Sequence, residues 1–193
     1  MIALGADAWR GYRQAGFPLA SWAIEGEVLH ALAGAQRVDL VSRRRFGDFD
    51  LALEWKLPPG GNSGVLWRVS EEHEAAWHSG PELQLLDDSG HPDARVPETA
   101  CGALYGLQAP LDAPDCPPGR WSVARLRVNG SRVEHWLNGR RVLDCDLAAE
   151  ALRARIRESK FRDFPAFARA AEGHLVLQHH GSHAWFRKIR VEA

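Results

Sequence analysis

Hydrophobic and polar residues alternate along short stretches at 22–29, 37–42, 49–57, 64–69, 81–86, 121–128, 132–137, 141–146, 173–180 and 184–191. Alternation with period two sends successive side chains to opposite faces of a strand. Many short strands divided by turn residues predict an all-β sandwich or barrel rather than alternating β and α units. Asn129-Gly130 and Asn138-Gly139 are tight-hairpin dipeptides, because both residues accept the positive φ of a type I′ turn. They predict three antiparallel strands over 121–146. In 81–86, Glu82 and Gln84 fall on one face and Leu83 and Leu85 on the other, so that strand has a polar side and a core side.

Two segments break the alternation. Residues 91–118 are rich in Pro and hold Cys101 and Cys116, a pattern that predicts a long surface loop of the kind that often carries function. Over 147–171 the spacing of Leu147, Ala151, Leu152, Ile156 and Phe161 turns helical, and Pro165 stops or bends the helix. No repeat or linker divides the sequence, so residues 1–193 are expected to form a single domain.

Composition adds limits. With 24 basic and 25 acidic residues the net charge is -1, so no global field recruits nucleic acid or an anionic membrane surface. The eight Trp residues suit sandwich cores or sugar-stacking platforms, and the core is expected to take most of them. Cys101, Cys116 and Cys145 cannot all pair and have no Cys-x-x-Cys spacing. Free, partly buried thiols are expected rather than a disulfide framework or zinc knuckle. The N-terminal residues lack a basic leader followed by an apolar stretch. As written the chain reads as cytoplasmic, and as periplasmic or secreted if a leader precedes it in nature.

Motifs then follow in order: Asn62-Ser63-Gly64, Pro81-Glu82-Leu83-Gln84, Asp87 with His91-Pro92-Asp93-Ala94, Gly102-Ala103-Leu104-Tyr105, His135-Trp136-Leu137-Asn138-Gly139, Ser159-Lys160-Phe161, Leu177-Gln178-His179-His180-Gly181 and Phe186-Arg187-Lys188-Ile189. Together they resemble the 3-keto-disaccharide hydrolase family, from about Trp9 to Val191. That resemblance implies a concanavalin-like jelly roll of two antiparallel sheets, with the 147–171 helical segment beside a concave sugar groove. It also implies action on glycosides oxidised to a ketone at carbon 3. Such a ketone acidifies the carbon 2 proton, so the glycosidic bond can break by elimination and rehydration, or by direct hydrolysis. The reaction needs a base, a polariser for the ketone and an acid for the leaving oxygen. Where the family commonly has Gln-Asp-His-Gly, this sequence has Gln178-His179-His180-Gly181, so the role of that Asp is moved or lost.

The resemblance implies Glu82, His180 and Lys160 as catalytic residues, with Asn62, Arg68, Gln84, Asp87, His91, Tyr105, His135 and Gln178 contacting a small sugar substrate. Residue by residue, plainer readings stand beside these. Glu82 can form a salt bridge, with Arg68 across neighbouring strands among the candidates, and Asp87 and Asp88 can cap a turn. His180 shares a predicted strand face with Gln178, while His179 falls on the other unless a bulge intervenes. The glycines near Asn62 can serve the turn alone. Trp67 and Trp77 can stack on a pyranose, although Trp67 alternates toward the core. No cofactor is required by the chemistry. A hard cation such as calcium could use the carboxylates, but no Asp-x-Asp-x-Asp loop occurs, nor zincin-type His spacing. A non-catalytic carbohydrate-binding module and a laminarinase-like glucanase are the competing classes. Gln84, an amide where a glucanase would place a carboxylate, argues against the last.

Overall fold

The computed structural model describes all 193 residues. Thirteen strands form in chain order: β1 (Ile2–Ala3), β2 (Trp9–Gly11), β3 (Trp22–Glu25), β4 (Val28–Ala31), β5 (Leu40–Phe46), β6 (Phe49–Lys56), β7 (Asn62–Val69), β8 (Glu82–Leu86), β9 (Ser122–Asn129), β10 (Arg132–Leu137), β11 (Arg140–Asp146), β12 (Gly173–Leu177) and β13 (Ala184–Glu192). One α-helix, α1 (Glu150–Glu158), interrupts them. The larger sheet runs β11-β10-β9-β6-β13-β4-β3, with β1 also paired to β13, and the smaller runs β2-β5-β12-β7-β8. Every pairing is antiparallel. No helix is long and apolar enough to cross a membrane.

Alternation explains the layers. Along β6 buried and half-buried residues alternate without a break, and Leu51, Leu53 and Trp55 join Val65, Trp67, Leu83, Leu85, Leu175 and Leu177 in a 35-residue core between the sheets. Trp9, Trp22, Trp55 and Trp67 are fully buried. The core therefore takes fewer Trp residues than expected. Trp121 and Trp185 lie on the outer face of the larger sheet beneath cations, with Lys56 4.4 Å from the Trp185 ring and Arg187 4.0 Å from Trp121. These contacts occupy ring faces that would otherwise be open to a sugar.

Local expectations are corrected in several places. The 22–29 stretch is two strands, β3 and β4, because Gly26 at φ 64 turns the chain into a hairpin. Asn138 (φ 47) and Gly139 (φ 82) make the expected I′ turn, with Leu137 paired to Arg140. The Asn129-Gly130 turn sits one residue later. Asn129 pairs with Arg132, and of the two residues between them Gly130 alone has positive φ, which suits a type II′ rather than a I′ turn. Helix α1 ends at Glu158 because Ser159 is extended and its Oγ accepts the Phe161 N–H at 3.1 Å, starting a separate 3-10 turn over Lys160–Asp163. The 91–118 segment is more than a surface loop. Cys101, Ala103, Leu104 and Leu107 are buried, and Leu104 bridges to Leu83. Gly102 N–H donates to Gln84 O and Gln84 N–H to Ala103 O, so the segment edges β8.

Candidate active site

Side chains of the smaller sheet that alternate away from the core form an outer face with two halves. Val41, Leu66, Val69, Ala76 and Val176 make a small second apolar cluster, with Tyr12 and Trp77 packed on it. The other half is polar, a cavity of about 280 Å³ lined by Arg37, Asp39, Asn62, Ala75, Trp77, Glu82, Gln84, Tyr105, Lys160, Gln178, His179 and His180. That is near the lower end of the roughly 300–1,000 Å³ range of small-molecule pockets.

Glu82 occupies the floor because β7 yields space to it. A Cβ on Gly64 would sit 1.9 Å from Glu82 Oε1 and within 2.9 Å of its Cγ, so only glycine lets the carboxyl lie across this strand. Gly181, at φ 100, does the same for Arg37, whose Nε would lie 2.7 Å from an added Cβ. Burial, followed by the Asp39 charge, pushes the Glu82 carboxyl up to about 8. Burial also raises Asp39 to about 6, against the opposing effect of the His179 N–H that Asp39 accepts at 2.8 Å. At neutral pH Asp39 is therefore ionised first, and its charge helps Glu82 keep its proton.

Lys160 stands in an aromatic box, 4.5 Å from the Tyr105 ring and 4.8 Å from Trp77. Burial lowers its ammonium pKa, opposed by the charges of Glu82 and Asp93. The His180 ring stands at the cavity mouth, exposed and edge-on to His91 with centroids 6.4 Å apart. Desolvation against the cavity wall, then Arg37 and His91, push it down, so it is neutral at pH 7 and able to accept a proton.

Asn62 Oδ1, Gln84 Oε1 and Gln178 Oε1 are buried with no hydrogen-bond partner in the protein. Each such orphan costs about 1–3 kcal/mol. Three unfilled acceptors in one small cavity are matched by a ligand rich in hydroxyl donors.

Of the residues expected here, Glu82, His180, Lys160, Asn62, Gln84, Tyr105 and Gln178 line the cavity, while Arg68, His135, Asp87 and His91 do not. Arg68 leaves the strand alternation because its backbone is left-handed (φ 51), and it bonds Gly47 O at 3.1 Å and Asp48 at 3.2 Å instead of Glu82. His135 sits on the inward face of β10, between the sheets, edge-on to Trp67 and 3.0 Å from Gly102 O. Asp87 caps a turn, accepting from Gly60 N–H at 2.7 Å and the Ser89 hydroxyl at 2.6 Å. His91 lies behind Asn62, its Nδ1 accepting the Asp93 N–H. Asp39 and Arg37 went unrecognised as site residues, although their alternation around Val38 places them on the face opposite Leu40. His179 lines the cavity as well, since β12 ends at Leu177 and Gln178–His180 leave strand geometry. No group of three or more His, Cys, Asp or Glu side chains has metal-ligand proximity.

The fold and site together define a jelly-roll β-sandwich whose compact cavity brings carboxyl, imidazole, ammonium and unpartnered amide groups to one face. The chain belongs to the 3-keto-alpha-glucoside-1,2-lyase-like domain family, whose model matches residues 5–192. It is 30% identical, over an alignment of 216 positions with gaps, to the 3-keto-disaccharide hydrolase of Bacteroides thetaiotaomicron, covering 96% of this chain and 74% of that protein. A crystal structure from Parabacteroides distasonis, provisionally assigned as a glycosyl hydrolase, superposes with a TM-score of 0.88 at 26% identity, over 96% of this chain and 88% of that one. A non-specific endo-β-1,3(4)-glucanase of family GH16 matches with a TM-score of 0.57 at 12% identity over 98% and 85% of the two chains, a likeness of fold alone.

Proposed function

We propose that this protein cleaves the glycosidic bond of glycosides that carry a ketone at carbon 3, by elimination followed by hydration. The observation that carries the reading is that one cavity brings together Glu82, whose carboxyl is held up to about 8, His180, whose imidazole is pushed down, and the Lys160 ammonium. Groups whose environments push their pKa values apart supply acid and base at one pH. The relative's name, a 3-keto-disaccharide hydrolase, supplies the substrate class.

In this scheme His180 takes the proton from carbon 2, and the Lys160 ammonium polarises the carbon 3 carbonyl and stabilises the enolate. The enolate expels the anomeric oxygen as Glu82 protonates it, leaving an unsaturated ketone and a free alcohol. Water then adds at carbon 1 and a proton returns to carbon 2. Asn62, Gln84 and Gln178 accept ring hydroxyls, and Trp77 closes the apolar side. All acid–base groups come from the chain, so turnover should survive a chelator.

The decisive assay pairs a disaccharide with its 3-keto form and detects products by mass. Turnover of the keto form alone supports the reading. In D2O, elimination puts deuterium on carbon 2 above the level in a protein-free control, whereas direct attack by water does not. Asp39 and Glu82 also have the protonation pattern of a conventional glycosidase pair, and equal turnover of both sugars would select that second reading. Binding without turnover would make the chain a carbohydrate-binding module.

A further inference from the structure

Arg37 lines the same cavity as Glu82 and His180 and has no part in the proton transfers proposed above. Its guanidinium lies against the turn at Gly181, directly after His180. A Cβ on Gly181 would fall 2.7 Å from Nε, 2.9 Å from Nη2 and 3.1 Å from Cζ of Arg37, and Gly181 has φ 100. A glycine that lacks a side chain and tolerates a left-handed backbone thus sets the guanidinium against the turn that carries the imidazole. Residue 37 reaches this point because alternation about buried Val38 sends it, with Asp39, to the cavity face.

The charge of Arg37 has no partner inside the protein. Arg10, Arg68 and Arg125 each meet a carboxylate, whereas Arg37 forms no salt bridge and donates no hydrogen bond to another residue. Asp39 shares the cavity, but its carboxylate accepts the His179 N–H at 2.8 Å instead. Free arginines are ordinary on open surface; one set against a glycine beside a polar cavity is a fork of donors already aimed. Position decides which part of a substrate it meets. Glu82 and Gln84 are buried at the floor, whereas Arg37 and His180 are exposed at the rim. A cavity of about 280 Å³ takes in one sugar ring, so the leaving group of a glycoside projects over the rim.

We propose that Arg37 selects substrates whose leaving group carries an acid, by pairing its guanidinium with a carboxylate or phosphate beyond the glycosidic oxygen. The proposal rests on the keto-glycoside reading and narrows it to anionic glycosides. Two parallel N–H donors suit a carboxylate and a phosphate alike, and little side-chain freedom is lost on pairing because Gly181 already supports the group. Arg37 transfers no proton, so its contact acts on substrate binding and orientation.

The test compares 3-keto glucosides of 4-hydroxybenzoate, 4-hydroxybenzamide and 4-hydroxyphenyl phosphate, which differ in the group opposite the glycosidic oxygen. The ratio of kcat/KM for the benzoate to that for the benzamide should be about tenfold or more higher in the native protein than in Arg37→Gln. Intrinsic leaving-group reactivity is common to both proteins and cancels in that comparison. The native preference should lie in KM and shrink as salt is added, and Arg37→Lys should keep part of it, since the charge remains and the fork is lost. Whichever of benzoate and phosphate gains more from Arg37 identifies the acid. A ratio unchanged in Arg37→Gln, or insensitive to salt, would overturn the proposal. Calorimetry with the same ligands reads the preference without turnover. A protein that cleaves none of the three but binds the benzoate more tightly than the benzamide, through Arg37, would refute the keto-glycoside reading and keep the assignment of Arg37.

Discussion

Gly64 and Glu82 function as a pair, one providing the space in which the other carries a buried proton. Gly64→Ala places a methyl where the Glu82 carboxyl lies, so it should displace the acid and reduce kcat/KM at least as much as Glu82→Ala, although no ionisable group has been touched. Glu82→Gln keeps the shape and removes the proton. Its kcat should fall by about 10²- to 10⁴-fold while the Kd for the 3-keto sugar, measured by calorimetry, changes only a few-fold, because an acid acts on the transition state and a hydroxyl contact on both states. Comparable losses in binding and rate would remove Glu82 from the chemistry. Glu82 and Gln84 were legible in the sequence because alternation in a strand with one core face leaves their direction no freedom, whereas Gln178 lies just past the end of β12. Arg68 and His135 were not legible. A single left-handed residue rotates Arg68 out of pattern, and His135 obeys the alternation but belongs to the other sheet, which a one-dimensional pattern does not reveal.

At the level of elements, the cavity is assembled by pieces that are neither strand nor long helix. Trp77 arrives in the 3-10 turn Ala76–His78 and Lys160 opens the turn Lys160–Asp163, while Tyr105 comes from the edge segment beside β8. The helical pattern over 147–171 was visible, yet its break at Ser159 depends on a hydroxyl cap that hydrophobic spacing does not encode, and that break is what turns Lys160 toward Trp77 and Tyr105. Likewise the Pro-rich 91–118 stretch shows no alternation, so its pairing with β8 emerges only from the folded sheet. Lys160→Met preserves an aliphatic chain between the two rings and deletes the charge. It should fold with an unchanged circular dichroism spectrum and lose about 10²- to 10³-fold in kcat, the usual cost of removing one stabiliser of a developing oxyanion. A variant with full activity would show that the box is packing alone.

Across the whole molecule, the site and the core make opposite demands on pH. His135, fully buried between the sheets, is pushed by that burial down to about 4. An unfolded chain binds its proton near pH 6.5 and the folded one does not, so the His135 contribution to stability falls as pH drops from about 6.5 to 4, by on the order of 3 kcal/mol. Glu82 acts in the other direction. Its folded pKa of about 8 lies above the ordinary 4.5, so its contribution is fully present below pH 4.5 and is lost as pH rises to 8. Asp39, raised from 3.8 to about 6, adds a smaller loss over the lower part of that range. From pH 4.5 to about 6 the two carboxyl losses together exceed the His135 gain, and above 6.5 the Glu82 loss stands alone, so the ligand-free protein should melt highest at or below pH 4.5 and lose stability toward pH 8. Glu82→Gln should lift the alkaline side, by a gain in melting temperature that grows between pH 5 and 8, and leave a nearly flat profile from pH 4 to 6, where the Asp39 and His135 contributions offset. Melting curves collected from pH 4 to 9 on both proteins test this directly. If the substitution lowers stability at pH 8, Glu82 is ionised and well solvated in the folded state, and it could not then serve as the acid that releases the leaving group.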